Sequence, residues 1–65
     1  MKLIVNGQQR EVDGPLSILQ LIEQFNTTPQ KVAVELNRRL IRAEKYDTML
    51  TDGDEVEIVT FVGGG

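Results

Sequence analysis

Residues 2–12 read KLIVNGQQREV, and the break inside this stretch organises everything after it. Lys2 to Val5 is a short apolar run of the kind that forms a strand. Asn6-Gly7 follows at once, and a two-residue type I′ turn needs positive φ at both central positions, which this pair supplies. Gln8 to Val12 then reads as a polar return strand lying at a sheet edge. A hairpin therefore opens the chain.

Working outward, Asp13-Gly14-Pro15 punctuates, and Leu16 to Phe25 changes period. Ile18, Leu21, Ile22 and Phe25 fall at i, i+3, i+4 and i+7, an apolar stripe at helical spacing that Leu19 broadens. Ser17 with Gln20 three residues on is a capping box, so a helix starts there. Asn26 to Pro29 ends it. Val32, Val34 and Leu36 alternate with Ala33 and Glu35 as a half-buried strand, and Asn37-Arg38 turns the chain into a short strand at Arg39 to Ile41. Ala43 to Met49 has no clear period and fits one turn of helix followed by extended chain. Leu50 to Asp54 is another tight turn.

Glu55 to Val62 is the clearest strand. Val56, Ile58, Thr60 and Val62 point to one face, expected to be the core; Glu55, Glu57, Val59 and Phe61 point to the other. That second face begins charged and ends apolar, which is unusual for a fully solvated surface. The expected fold is α+β: a sheet of four or five strands with one main helix across it, since alternating strands need an apolar cover on one face.

Composition limits the chemistry. A chain of 65 residues makes one domain and buries only about 60% of its unfolded surface, too little for a deep pocket. There is no Cys and no His, which removes thiolate nucleophiles, imidazole bases, disulfides and the usual zinc ligands. A net charge of −3 is the wrong sign for binding a phosphate backbone. Apolar runs are too short to span a membrane, and the first residues do not read as a signal peptide. No nucleic-acid or membrane partner is expected, and the location is expected to be cytoplasmic.

Charge is also segregated. Arg38, Arg39, Arg42 and Lys45 form a basic stretch that reads as a solvated face. Asp47, Asp52, Asp54, Glu55 and Glu57 form an acidic one that leads toward the C-terminus. Asn26-Thr27-Thr28 matches a glycosylation sequon but reads as a helix-end loop. Asp52-Gly53-Asp54 lacks the remaining ligands of a calcium loop and reads as a turn. No pattern of a phosphate loop, triad or carboxylate pair is legible in the sequence.

The last residues are Gly63-Gly64-Gly65, expected to form a flexible tail outside a packed domain of residues 1–62. Two readings stand. The glycines are a frayed end, or the α-carboxylate of Gly65 is itself a reactive group. Three extended residues reach about 10 Å, enough to thread a narrow partner channel without a side chain in the way. A free carboxylate is a poor acyl donor, so it would need activation, most simply as an acyl-adenylate made with ATP.

The chain resembles the ubiquitin-like β-grasp sulfur carriers, and most closely the ThiS family of thiamine thiazole synthesis. The resemblance is carried by Val5-Asn6-Gly7, by Val32-Ala33-Val34-Glu35-Leu36-Asn37 and by Tyr46-Asp47. It continues through Leu50, Asp52-Gly53-Asp54 and Val56-Glu57-Ile58 to Phe61-Val62-Gly63-Gly64-Gly65. It implies a carrier and not an enzyme. A ubiquitin-activating-type enzyme would adenylate Gly65 using ATP, with no cofactor bound by the carrier. Sulfur drawn indirectly from a cysteine desulfurase would convert the end to a thiocarboxylate, and thiazole synthase would consume it. Gly63 and Gly64 would form the threading arm; Val59, Phe61 and Val62 would dock partners, and Glu57 would meet a basic surface. Related carriers of molybdopterin synthesis and protein-conjugating modifiers share the fold and the Gly-Gly end. A non-covalent ubiquitin-like interaction module is the alternative of a different class.

Overall fold

Asn6 and Gly7 both take left-handed backbone, at φ 50° and 81°, and fold strand β1 (Lys2–Val5) onto β2 (Gln8–Glu11). The pair is antiparallel, with Val5 opposite Gln8 and Lys2 opposite Glu11. The computed structural model that shows this describes residues 1–61. Helix α1 (Ile18–Gln24) follows, then a single 3-10 turn (Pro29–Lys31), β3 (Val32–Leu36) and β4 (Arg39–Ile41). A second 3-10 turn (Ala43–Lys45) and β5 (Glu55–Thr60) complete the order. Asn37 and Arg38, at φ 51° and 70°, make the second left-handed hairpin turn.

The five strands form one mixed sheet in the order β2-β1-β5-β3-β4. β5 is central. It runs parallel to β1, with Val5 opposite Val56, and antiparallel to β3, with Val34 opposite Ile58. Ile18, Leu21 and Ile22 of the helix form one buried cluster with Leu3, Val5, Val34, Val56 and Ile58 of the sheet, closed by Tyr46 and Leu50. Apolar surface removed from water contributes roughly 25 cal/mol per Å², so this single layer carries most of the stability.

The helix begins where its sequence says it should. Ser17 Oγ accepts from the Gln20 amide at 3.1 Å, and Gln20 Oε1 accepts from the Ser17 amide at 2.8 Å. The remaining first-turn amides are met from far along the chain. Ile18 donates to Thr48 O (3.0 Å) and Leu19 to Tyr46 O (2.9 Å), while the Leu50 amide donates to Leu16 O (2.8 Å). The segment from Tyr46 to Leu50 thus seals the N-terminal end of the helix, whose free amides would otherwise need water.

Two expectations shift. The helix is shorter than Leu16 to Phe25, because Leu16 and Ser17 are spent on the cap and Phe25 closes the C-terminal end. Thr60 is exposed instead of joining the core. β1 pairs with β5 only as far as Val5 opposite Val56, so among the described residues no strand flanks β5 on that side at Thr60.

Candidate functional site

With the helix and core on one side, no described element covers the other side of the sheet, and β5 runs down its middle. Alternation puts Val56 and Ile58 inside and leaves Glu57 and Val59 outside, as the sequence indicated. Register then selects their neighbours. Val59 lies opposite Ala33, Glu57 opposite Glu35, and Glu35 opposite Leu40 on the far strand. Ala33, Glu35, Leu40, Glu57 and Val59 line a shallow hollow of about 200 Å³. Val59 is 55% and Leu40 70% exposed, so two large apolar side chains sit in water here.

Electrostatics mark the same place. Glu35 and Glu57 stand directly across from each other, and facing like charges on neighbouring strands cost stability. Glu55, one step along, meets Arg38 Nε at 3.7 Å, a surface pair of little energetic weight. A second hollow of about 200 Å³, lined by Ile4, Arg38 and Glu55 among others, shares Glu35 and Glu57 with the first. Neither has the enclosure or the size of a ligand pocket. An apolar patch bordered by carboxylates is better suited to a protein surface.

Phe61 is 57% exposed but does not join Val59. It lies with Thr60 along an open groove of about 710 Å³, shared with Phe25, Asn26, Thr27, Gln30 and Lys31. The Phe61 amide donates to Lys31 O at 2.8 Å, which fixes the chain against the turn preceding β3. The sequence-derived docking residues therefore divide: Glu57 and Val59 share one hollow, and Phe61 borders another. Val62, Gly63, Gly64 and Gly65, and with them the boundary of the glycine arm, lie outside the described residues.

Leu40, Ala33 and Glu35 belong to the site and were not foreseen. The alternation of β3 already placed Ala33 and Glu35 outward, but only the pairing register brings them to Val59 and Glu57. A three-residue strand such as β4 offers too little pattern to aim Leu40.

The acidic turn has a structural task. Asp52 Oδ1 accepts from the Lys2 amide at 2.7 Å, and Asp54 Oδ2 accepts from the Thr51 amide at 2.8 Å. Among the described residues no group of three or more His, Cys, Asp or Glu is placed to hold a metal ion. None of their helices is long and apolar enough to cross a membrane.

Comparison with known proteins places this geometry. The ThiS family model matches residues 3–65. A crystal structure of a thiamine biosynthesis protein (ThiS) from Geobacter metallireducens superposes with a TM-score of 0.82 at 39% identity, over 100% of both chains. The sulfur carrier protein ThiS of Bacillus subtilis is 40% identical over 50 residues, which are 75% of this chain and 76% of that protein. A thiazole synthase of Paramagnetospirillum magneticum is 36% identical over 66 residues, covering 100% of this chain and 20% of the synthase. The chain thus spans about a fifth of the length of the thiazole synthases it matches. The fold is the ubiquitin-like β-grasp.

Proposed function

The chain belongs to the ThiS family, and from that premise we propose that it is a sulfur carrier of thiamine biosynthesis, a co-substrate and not a catalyst. The observation that carries the reading is the place of β5. One strand is the centre of the sheet, presents Glu57 and Val59 on the uncovered face, and leads directly toward the glycines.

In this reading the α-carboxylate of Gly65 attacks ATP in a ubiquitin-activating-type enzyme, releasing pyrophosphate and forming an acyl-adenylate. The terminal sulfur of a persulfide, whose source is a cysteine desulfurase, displaces AMP. Thiol cleavage of the resulting S–S bond leaves a thiocarboxylate on Gly65 and a disulfide elsewhere. The carrier's own contribution is delivery. Gly63 and Gly64 pass through a channel too narrow for side chains, while the body stays outside. Val59, Leu40 and Ala33 dock against an apolar surface, and Phe61, on its separate groove, offers a second contact. Glu35 and Glu57 meet a basic one, which relieves their mutual repulsion and favours the correct partner. Thiazole synthase is the acceptor; synthases that contain a stretch resembling the whole chain support placing carrier and synthase in one step.

Intact mass before and after incubation with ATP, an activating enzyme of this type and a sulfur donor tests the proposal. The expected gain is the difference between one sulfur and one oxygen, mapped to Gly65. Deleting Gly65 removes the gain and leaves the circular dichroism spectrum unchanged. A truncated chain that still passes on sulfur would sink the idea. Function lost on Phe61→Ser but kept on removal of Gly65 would favour the interaction-module reading instead.

A further inference from the structure

Past Val5, the first strand leaves β5, yet the ladder between them goes one step farther. Ile4 donates to Asp54 O at 2.9 Å and Asn6 donates its backbone amide to Val56 O at 2.9 Å. At φ 50° the Asn6 backbone then turns away into the hairpin. Its side chain takes over. Asn6 Oδ1 accepts from the Ile58 amide at 2.7 Å, and Asn6 Nδ2 donates to Ile58 O at 3.3 Å. A carboxamide offers the same acceptor and donor as a peptide group, so it can stand in for one.

The other side of β5 is held differently. β3 pairs with it from Leu36 opposite Val56 to Val32 opposite Thr60, with the Phe61 amide bound to Lys31 O just beyond. Asn37 repeats the carboxamide device there, at the start of the strand, where its Oδ1 accepts from the Glu55 amide at 2.9 Å. On the β1 side the Asn6 carboxamide is the tie described nearest to the chain's exit.

We propose that Asn6 is a positioning residue: its carboxamide fixes the line along which β5 delivers the C-terminal arm to a partner's active site. The proposal rests on the carrier function above. Losing the clamp leaves Ile58 N–H and C=O without partners on that side and lets the end of β5 pivot on β3 alone. The docking face keeps its residues, while the arm arrives misaimed. Small errors in the position of a reacting group are costly in rate, because orientation supplies much of the catalytic advantage.

Two variants separate backbone from side chain. Asn6→Gly keeps the left-handed turn without steric cost and deletes the carboxamide. Asn6→Asp keeps an acceptor for the Ile58 amide but sets a carboxylate oxygen against Ile58 O. In both, amide hydrogen exchange is read at Ile58 and at Leu21 and Val34 in the core. Activation kinetics are measured well below the unfolding midpoint. For Asn6→Gly we expect Ile58 exchange to rise relative to the core amides. We expect kcat for activation to fall about tenfold while KM stays within about twofold, since aim and docking are separate contributions. Asn6→Asp falls between Asn6→Gly and the parent.

Unchanged relative exchange at Ile58 overturns the clamp. Faster exchange with parental kcat overturns the aiming role and leaves a structural bond. A parent chain that gains no sulfur overturns the carrier function, and the aiming role with it, whatever the exchange data show.

Discussion

A tyrosine in the unpatterned part of the chain carries a measurable signature. Tyr46 is only 5% exposed, and burial, which disfavours the phenolate, raises its pKa above the usual 10.0. The folded state therefore holds the phenolic proton more tightly than the unfolded one. That contribution is fully present below about pH 10 and is lost as pH rises through the folded pKa. Tyr46→Phe is expected to flatten the alkaline fall in stability while changing neutral-pH stability little, as followed by urea midpoints across pH 8 to 11. An identical alkaline slope in the variant would assign the fall to other groups.

Among the elements, the seven-residue helix depends on its first turn more than on its own propensity, since helices this short are marginal alone. Ser17→Ala removes the Oγ that accepts from Gln20 and is expected to cost about 1 kcal/mol. The urea midpoint should fall with an unchanged m-value; a shift below experimental error would mean that the Tyr46–Leu50 segment caps the helix unaided. Elements with a period were legible from sequence alone: the first hairpin, the helix with its cap, β3 and β5. Their patterns are local. The segment from Ala43 to Met49 has the turn at Ala43–Lys45 and the extended end that its sequence suggested, but its packing was not legible, because it is set by hydrogen bonds to residues some thirty positions away, Leu19 to Tyr46 O and Ile18 to Thr48 O. Alternation failed at Thr60 and Phe61, expected in the core and beside Val59 and found exposed along a different groove. Their neighbours come from sheet order and from the groove beside Phe25 and Lys31. Sequence spacing put Glu57 and Val59 on the outer face, and register brings Leu40 beside them.

At the scale of the whole molecule, the described residues form one α-helix and one sheet, and so a side they cover and a side they leave open. The core uses the helix and the Tyr46–Leu50 segment on the covered side. Exposed Val59 and Leu40 remain on the other, beside the Glu35 and Glu57 carboxylates. The same architecture sets how long a molecule lasts. Asn6 is followed by Gly7, and glycine hinders least the attack of its own backbone nitrogen on the preceding carboxamide carbon. That attack expels ammonia and closes a cyclic imide, which water opens to aspartate or isoaspartate. In the folded chain the carboxamide is engaged at Ile58 N–H and C=O, so the clamp shields the group on which it depends. Asn6 should accordingly age slowly in buffer and quickly in denaturant, as isoaspartate in peptide maps would show; equal rates would mean the hydrogen bonds give no shelter. Each opening of the strand end then exposes Asn6 to an irreversible change, and the chain keeps a chemical record of how often it has come undone.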